Sequence, residues 1–312
     1  MIIVIAMCKL LVALVLGYVL NKKDILDSGT CKKISALILN VSSPMLVFTS
    51  VTSVQGERST EVLYLLVLGV VVYAVMPLIG YVLTRMFRIE RDLRGTFMCM
   101  VIFSNNVFMG FPVIEAVFGS SSIFYSSIFH MPFNILFYSL GLYLMKQDAQ
   151  RTEETKEGGS KFTLGQVVNN GVIAAVLAVI VYFTNISVPD IIVEPMKFIG
   201  NITSPLSMLV IGSSIAGYSL KEIWGEKKIY AFTFVRLCVL PLIMWALMQL
   251  FTDNQMLIGI VTITVGMPIA SLVAMGSAQY EKQGKIASIS VVCSTICSLI
   301  TIPILCILLG VG

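Results

Sequence analysis

Charged and titratable side chains are scarce in this 312-residue chain. Asp, Glu, Lys and Arg make up 12% of it and there is one histidine, whereas a soluble domain is roughly one quarter charged. The hydrophobic fraction of 57% and the mean hydropathy of +0.93 make the predicted helices apolar on every face. Lipid suits such helices, because each one satisfies its own backbone hydrogen bonds. The composition excludes a soluble protein and predicts an integral helical membrane protein.

Motifs for catalysis and for ATP-driven transport are also lacking. The sequence contains no P-loop, no dinucleotide-binding glycine pattern and no zinc-ligand spacing. Its seven cysteines are scattered through apolar stretches, which predicts packing residues. We therefore expect no enzyme, no cofactor and no metal. An intramembrane enzyme would need a cluster of acids or a nucleophile, and a sensor would need a soluble output domain.

Apolar stretches of about 20 residues, the length that crosses a bilayer, divide the chain into ten predicted spans. They lie near residues 2–20, 34–54, 62–84, 95–118, 122–145, 166–184, 191–217, 229–251, 255–280 and 286–310. Most of the 21 basic residues fall in the loops after odd-numbered spans. Because cytoplasmic loops are enriched in Lys and Arg, both termini are predicted to lie outside.

Short segments recur in the same order in the two halves of the chain. Asn40-Val41-Ser42-Ser43-Pro44 returns as Asn201-Ile202-Thr203-Ser204-Pro205, and Gly110-Phe111-Pro112 returns as Gly266-Met267-Pro268. Five spans is an odd number, so a second unit would enter the membrane from the opposite side. The fold class is therefore predicted as all-α, with ten transmembrane helices in two inverted five-helix repeats. The predicted repeats are 1–145 and 166–312, joined by a flexible cytoplasmic linker at 146–165.

Spans 4 and 9 carry residues that interrupt a helix. Span 4 contains Asn105, Asn106, Gly110 and Pro112. Span 9 contains Gly266, Pro268 and Ser271. Pro removes a backbone donor, and Gly and Asn tolerate an unwound backbone. Interrupted helices at corresponding places in two repeats indicate a binding site at the middle of the membrane, and their free N–H groups suit an anion.

The order of these features resembles the auxin efflux carrier family, which includes plant PIN-type carriers and bacterial malate or malonate permeases. The resemblance rests on Gly17-Tyr18 and on the segments 40–44, 104–112 and 266–271 within ten spans. It implies a scaffold of spans 1, 2, 6 and 7, and a transport domain of spans 3–5 and 8–10. It also implies that spans 4 and 9 cross at their breaks, that the transport domain moves like an elevator, and that the scaffold forms a homodimer. Plant carriers place an Asn beside the Pro of span 9, and this chain departs from their pattern there.

Amide and small residues near the breaks are the candidate substrate-binding set. Asn105 and Asn106 either donate to a substrate carboxylate or cap the broken helix. Asn40 and Asn201 either contact substrate from the scaffold or bond carbonyls freed by the nearby Pro. The full predicted set is Asn105, Asn106, Gly110, Pro112, Gly266, Pro268, Ser271, Asn40 and Asn201.

Ionisable residues inside predicted spans are candidates for coupling or for charge compensation. Lys9 either holds an anion or pairs with an acid. Glu115 either carries a coupling proton or stands at the outer interface. His130 either couples protons or is a neutral histidine bonded to a carbonyl. Arg236 either extends its charge to the cytoplasmic interface or neutralises the substrate.

These patterns together predict a secondary transporter. It would move a small organic anion of the auxin, malate or malonate type across the plasma membrane of a bacterium, by elevator-type alternating access. A proton is favoured over sodium as the coupling ion, and no nucleic acid is expected as a partner. The alternatives are a sodium-coupled organic anion symporter of the bile-acid type and, from another class, a membrane sensor or intramembrane enzyme without transport.

Overall fold

The computed structural model describes residues 2–52, 60–119, 122–153, 170–184, 186–216, 227–278 and 280–310. Every regular element in these residues is helical, apart from one isolated antiparallel bridge. Five continuous helical runs are long and apolar enough to cross a membrane: Ser28–Thr49, Val62–Met86, Tyr125–Arg151, Lys227–Phe251 and Lys282–Leu308. Leu11–Lys22, Ile173–Thr184 and Gln255–Gly266 are shorter apolar helices. A multi-pass helical membrane protein is thus confirmed, while the count of ten spans stays a prediction.

The first half of the chain contains eight described helices. They are α1 (Ile2–Lys22), α2 (Ser28–Leu37), α3 (Ser43–Thr52), α4 (Thr60–Met86), α5 (Arg94–Ile102), α6 (Phe111–Phe118), α7 (Ser122–Leu136) and α8 (Leu142–Glu153). The helix α8 extends into the segment predicted as a linker, because its last polar turns are still hydrogen bonded as helix. Residues 154–169 of that linker lie outside the described residues.

The second half of the chain contains eight further described helices. Its described helices are α9 (Asn170–Thr184), α10 (Asp190–Gly200), α11 (Thr203–Ala216), α12 (Lys227–Phe234), α13 (Leu240–Phe251), α14 (Gln255–Gly266), α15 (Ser271–Ser277) and α16 (Glu281–Leu308). The predicted span 191–217 is therefore divided in the structure, with a turn at Asn201 and Ile202 between α10 and α11.

Wide π-helical turns join several of these helices. They comprise Ile38–Ser42, Asn106–Gly110, Phe137–Gly141 and Val235–Val239. Three of them stand two residues before a proline, namely Pro44, Pro112 and Pro241. Proline clashes with the carbonyl four residues earlier, and a π turn moves that carbonyl aside. The chain thus continues through these prolines as a bent helix.

The helices α1 and α11 pack with their backbones in direct contact. A Cβ atom added at Gly17 would lie 2.1 Å from the Leu209 carbonyl oxygen, and one added at Gly212 would lie 1.9 Å from the Leu14 carbonyl oxygen. Small residues allow such close approach of membrane helices. Beside this contact, the two recurring Asn-x-Ser/Thr-Ser-Pro segments meet, because Thr203 Oγ1 donates to Ser42 Oγ at 2.9 Å.

Large apolar side chains cover the outer faces of the helices. Ile191, Phe198 and Leu250 are each more than three-quarters exposed. Exposure of so much apolar surface is expected where lipid replaces water as the surrounding medium.

The amino end of α5 is held by a buried carboxylate from α8. Asp148 accepts hydrogen bonds from the backbone N–H of Gly95 at 3.0 Å and of Thr96 at 2.6 Å, and from Thr96 Oγ1 at 3.0 Å. A carboxylate there satisfies free N–H groups and complements the helix dipole. This contact fixes the half-helix that leads into the first interruption.

Candidate functional site

Two interrupted helices meet at the centre of the described structure. The helix α5 ends at Ile102 and helical structure resumes at Asn106, while α14 ends at Gly266 and α15 begins at Ser271. Ser104 and Ile269 form the isolated antiparallel bridge. The Asn105 N–H donates to the Pro268 carbonyl at 2.8 Å, and the Ala270 N–H donates to the Phe103 carbonyl at 3.0 Å. The two unwound segments therefore satisfy some of each other's backbone hydrogen-bonding groups, which have no partner within a helix there.

The first interruption lies earlier than the recurrence of Gly110-Phe111-Pro112 suggests. Gly110 ends a π turn, and Pro112 occupies the second position of α6. Proline is tolerated in the first turn of a helix, where its missing N–H has no partner to lose. The unwound residues are Phe103–Asn105 in one helix and Met267–Ala270 in the other. The matching of Gly110–Pro112 with Gly266–Pro268 as two equal break points is thus corrected.

The Arg236 side chain forms hydrogen bonds with both interrupted helices. Its guanidinium donates from Nε to the Met267 carbonyl at 3.2 Å, from Nη1 to the Val101 carbonyl and from Nη2 to Ser104 Oγ. The residue is 1% exposed. Of the two alternatives for Arg236, extension of its charge to the interface is contradicted by this burial, and neutralisation of the substrate stays a prediction.

A small cavity opens on one side of the crossing. The space that the centre of a water-sized molecule can occupy is about 30 Å³, which is room for a few waters. Polar and apolar side chains share its wall. The lining residues are Ser43, Leu46, Val47, Ser104, Asn105, Asn106, Val107, His130, Phe133, Asn134, Ala270, Ser271 and Leu272.

Several polar atoms of this wall have no hydrogen-bond partner among the described residues. They are Asn105 Nδ2, Asn106 Oδ1 and Ser271 Oγ. All three side chains are at most 2% exposed. A buried polar group without a partner is destabilising, so such groups in a native protein call for an explanation by function or by bound solvent. Two of the three atoms, Asn105 Nδ2 and Ser271 Oγ, can donate to a bound solute.

Asn106 is anchored by an aromatic network. Its Nδ2 donates to Tyr73 Oη at 3.0 Å and lies 3.1 Å from His130 Nδ1. The histidine stacks on Phe133 at a centroid distance of 4.3 Å and meets the edge of Phe111 at 5.8 Å. This network sets the orientation of the Asn106 amide in the wall.

Similarity to known proteins shows the family of the chain. A family model described as membrane transport protein matches residues 2–306. The chain belongs to this family, the auxin efflux carrier family that the sequence resembles. An uncharacterized transporter of Methanothermobacter thermautotrophicus is 21% identical over 297 residues, covering 95% of each chain. An uncharacterized transporter of Methanocaldococcus jannaschii is 22% identical over 304 residues, covering 94% of each chain.

Four of the residues predicted to form the site do not line the cavity. Lys9 is exposed on α1, and Glu115 is exposed on α6. Asn40 is exposed and its Nδ2 donates to the Ala36 carbonyl of its own helix at 2.8 Å. Asn201 is exposed at the carboxyl end of α10. None of the four is among the residues that line the cavity.

The glycines and Pro268 belong to the frame of the crossing. A Cβ atom at Gly110 would lie 3.2 Å from Met267 Cγ, and one at Gly266 would lie 2.7 Å from Leu305 Cδ2. The Pro268 carbonyl accepts from the Asn105 N–H. These residues allow the two interrupted helices to approach, whereas Asn105, Asn106, His130 and Ser271 line the space between them.

Sequence reasoning missed several members of the wall. Ser43, Ser104, Phe133 and Asn134 line the cavity, and Tyr73 holds Asn106 from behind. One signal for Asn134 was present, because it stands four residues after His130 and therefore shares its helix face. No local pattern singles out Tyr73, since its contact with Asn106 joins residues far apart in the sequence.

Proposed function

We propose that this chain is a secondary transporter of a small organic anion that binds in the cavity at the crossed breaks. One observation carries the proposal. Asn105 Nδ2 belongs to one break and Ser271 Oγ begins the helix after the other, and both are buried donors without a partner among the described residues. A carboxylate accepts several hydrogen bonds at once, so it can satisfy donors from both helices together.

The charge of the wall favours an anion. No acidic side chain is among the residues that line the cavity, and the guanidinium of Arg236 lies directly behind Ser104. Hydrogen bonds from neutral donors to an ionised acceptor are stronger than those between neutral groups. A cation would find no carboxylate among the lining residues, and Asn106 Oδ1 is the one buried side-chain carbonyl oxygen there that lacks a partner among the described residues. A proton is accordingly the favoured coupling ion, and sodium is the alternative.

The tight cavity supports a small substrate and a mechanism in which the walls part. A cavity of this size favours a small carboxylate such as malate or malonate over a large anion. Alternating access requires that the site open to one side at a time.

The packing of the helices suggests which parts would move. The helices α1 and α11 contact each other closely, and α3 packs on α9 and α10. A second group includes α4 with α5 and α7, and α13 with α14. In the proposed elevator the first group is the scaffold of spans 1, 2, 6 and 7, and the second belongs to the transport domain of spans 3–5 and 8–10. Ten spans in inverted repeats, with both termini outside the plasma membrane, complete the proposal.

Ligand-dependent thermal stability of the purified protein tests this function. Malate, malonate and indole-acetate are each titrated at two pH values, with and without sodium. One carboxylate should raise the melting temperature in a concentration-dependent way. Asn105→Ala and Ser271→Ala should each weaken that affinity at least about tenfold, which corresponds to about 1.4 kcal/mol.

Thr184→Ala is the matched control, because Thr184 is exposed and bonds only within its own helix in the described contacts. Unchanged affinity in both cavity variants would refute the site. A stabilising effect of neutral or cationic solutes, with none from any carboxylate, would refute the anion as substrate.

A further inference from the structure

Arg236 carries a buried charge that the described structure does not neutralise. Its three hydrogen-bond acceptors are the carbonyls of Met267 and Val101 and the hydroxyl of Ser104, and none of them is a carboxylate. Among the described residues, no ion pair includes this guanidinium. Arginine stays protonated in proteins, and a buried charge without a counter-ion is destabilising. A net positive charge therefore remains at the crossing.

The hydrogen bond to Ser104 also fixes the direction of that hydroxyl. A hydroxyl has one donor hydrogen and two acceptor lone pairs. Because Nη2 of Arg236 only donates, Ser104 Oγ must accept from it. The hydroxyl hydrogen of Ser104 is then free to point elsewhere, and Ser104 lines the cavity next to Asn105. The hydrogen bond from Arg236 thus leaves the Ser104 hydroxyl hydrogen available to a solute in the cavity.

We infer that Arg236 is a positioning residue that makes the cavity selective for negatively charged solutes. It holds the backbone of both breaks, turns the Ser104 hydroxyl into a third donor beside Asn105 and Ser271, and supplies the positive field that an anion would meet. The inference rests on the proposed function, namely that the cavity is the substrate site. It adds that the charge of the solute is recognised through Arg236 and not only through neutral donors.

A series of ligands that differ in charge but little in shape separates this role from a purely structural one. For the carboxylate that gives the largest stabilisation among malate, malonate and indole-acetate, affinity is measured by calorimetry alongside its uncharged amide. The wild type should bind the carboxylate at least about tenfold more tightly than the amide. Arg236→Gln should abolish most of that preference, because carboxylate affinity should fall much more than amide affinity. Arg236→Lys should restore the preference, because the charge returns.

Two controls keep the interpretation clear. Arg85→Gln removes the same charge from an exposed side chain that bonds Tyr81, and it should leave the preference unchanged. Ser126→Ala removes a buried hydroxyl that donates within α7, and it should leave affinity unchanged, whereas Ser104→Ala should weaken carboxylate binding at least about fivefold. If Arg236→Gln does not fold, the Ser104→Ala and Arg236→Lys variants decide between the outcomes.

The outcomes distinguish this inference from the function on which it rests. Absence of carboxylate binding by the wild type overturns both. Carboxylate binding that keeps its preference over the amide in Arg236→Gln overturns the inference alone. Where only the other variants fold, full carboxylate affinity in Ser104→Ala, or loss of the preference in Arg236→Lys, overturns the inference in the same way.

Discussion

The contact between α1 and α11 and the crossing of the two breaks both depend on close approach of backbones, but they leave their polar groups in opposite conditions. At the first contact, Gly17 and Gly212 bring together two helices whose backbones are hydrogen bonded within themselves. At the crossing, unwound backbones bond to each other, and side-chain atoms of Asn105 and Ser271 lack partners among the described residues. The first region is a packed contact in which polar side chains also pair across the two helices, as Asn21 Nδ2 does with Ser213 Oγ at 3.1 Å.

This difference in hydrogen bonding indicates that the crossing contains polar groups that destabilise the empty protein and that a ligand can bond. Natural proteins leave polar groups unsatisfied mainly where a ligand or solvent completes them. The crossing has such groups next to a cavity, together with a buried arginine. We therefore expect substitutions at the α1–α11 contact to change stability, and substitutions in the wall of the cavity to change binding.

The largest expected effect is at the packed contact. In Gly212→Val, the new side chain cannot fit, because even a Cβ atom would lie 1.9 Å from the Leu14 carbonyl oxygen. The two helices must separate, and overpacking of this kind costs about 3 kcal/mol or more. We expect the detergent-solubilised variant to unfold at a much lower temperature or to fail to accumulate in the membrane.

Gly29→Ala is the control, because Gly29 is exposed in α2 and alanine there improves helix propensity. It should keep or slightly raise the melting temperature. A wild-type melting temperature in Gly212→Val would contradict the tight contact between α1 and α11.

An intermediate effect is expected where the crossing is anchored to the rest of the fold. Asp148→Ala would leave the N–H groups of Gly95 and Thr96 without their acceptor. The expected loss is about 2 kcal/mol in the free energy of unfolding, since buried donors would be unsatisfied. Chemical denaturation in detergent, followed by tryptophan fluorescence, measures it.

Asp148→Asn keeps one oxygen acceptor at the same place and should lose roughly half as much, about 1 kcal/mol. Equal losses in the two variants would show that the charge of Asp148, and not its hydrogen bonds, holds the start of α5.

The same comparison explains which parts of the molecule the sequence could predict. Helix interruption near Asn105 and Pro268 was predictable, because Pro, Gly and Asn act through their own backbone preferences. The exact place of the first break was not, since a π turn absorbs Pro112 and moves the unwound residues to Phe103–Asn105. The recurring Gly-x-Pro pattern does not show whether a proline interrupts a helix or lies in the first turn of one.

Arg236 shows why charge in a predicted span is difficult to interpret from sequence. Distance along the helix suggested that it could reach the interface, but the direction of the side chain depends on the π turn that contains it. Its contacts with Val101, Ser104 and Met267 join three remote parts of the chain. These hydrogen bonds from a buried guanidinium depend on tertiary structure and leave no local pattern in the sequence.

The smallest expected effect on stability comes from removing one hydroxyl that bonds the first residue of α11 and one hydroxyl at the crossing. Ser42→Ala and Ser271→Ala are the same chemical change at fully buried sites. Ser42 Oγ accepts from Thr203 Oγ1 at 2.9 Å, so its loss should cost about 1 kcal/mol. Ser271 Oγ has no partner among the described residues, so its removal should change stability by less than about 0.5 kcal/mol, or raise it.

Thermal unfolding of both variants without ligand measures this difference, and repeating it with the bound carboxylate should reverse the order of the two effects. Ser271→Ala should lose most of the stabilisation by ligand, because a donor to the substrate is missing. Ser42→Ala should keep that stabilisation, since its hydroxyl does not line the cavity. If Ser271→Ala is the less stable variant without ligand, then its hydroxyl already has a partner in the empty protein, and the contrast between a packed contact and an unsatisfied crossing fails.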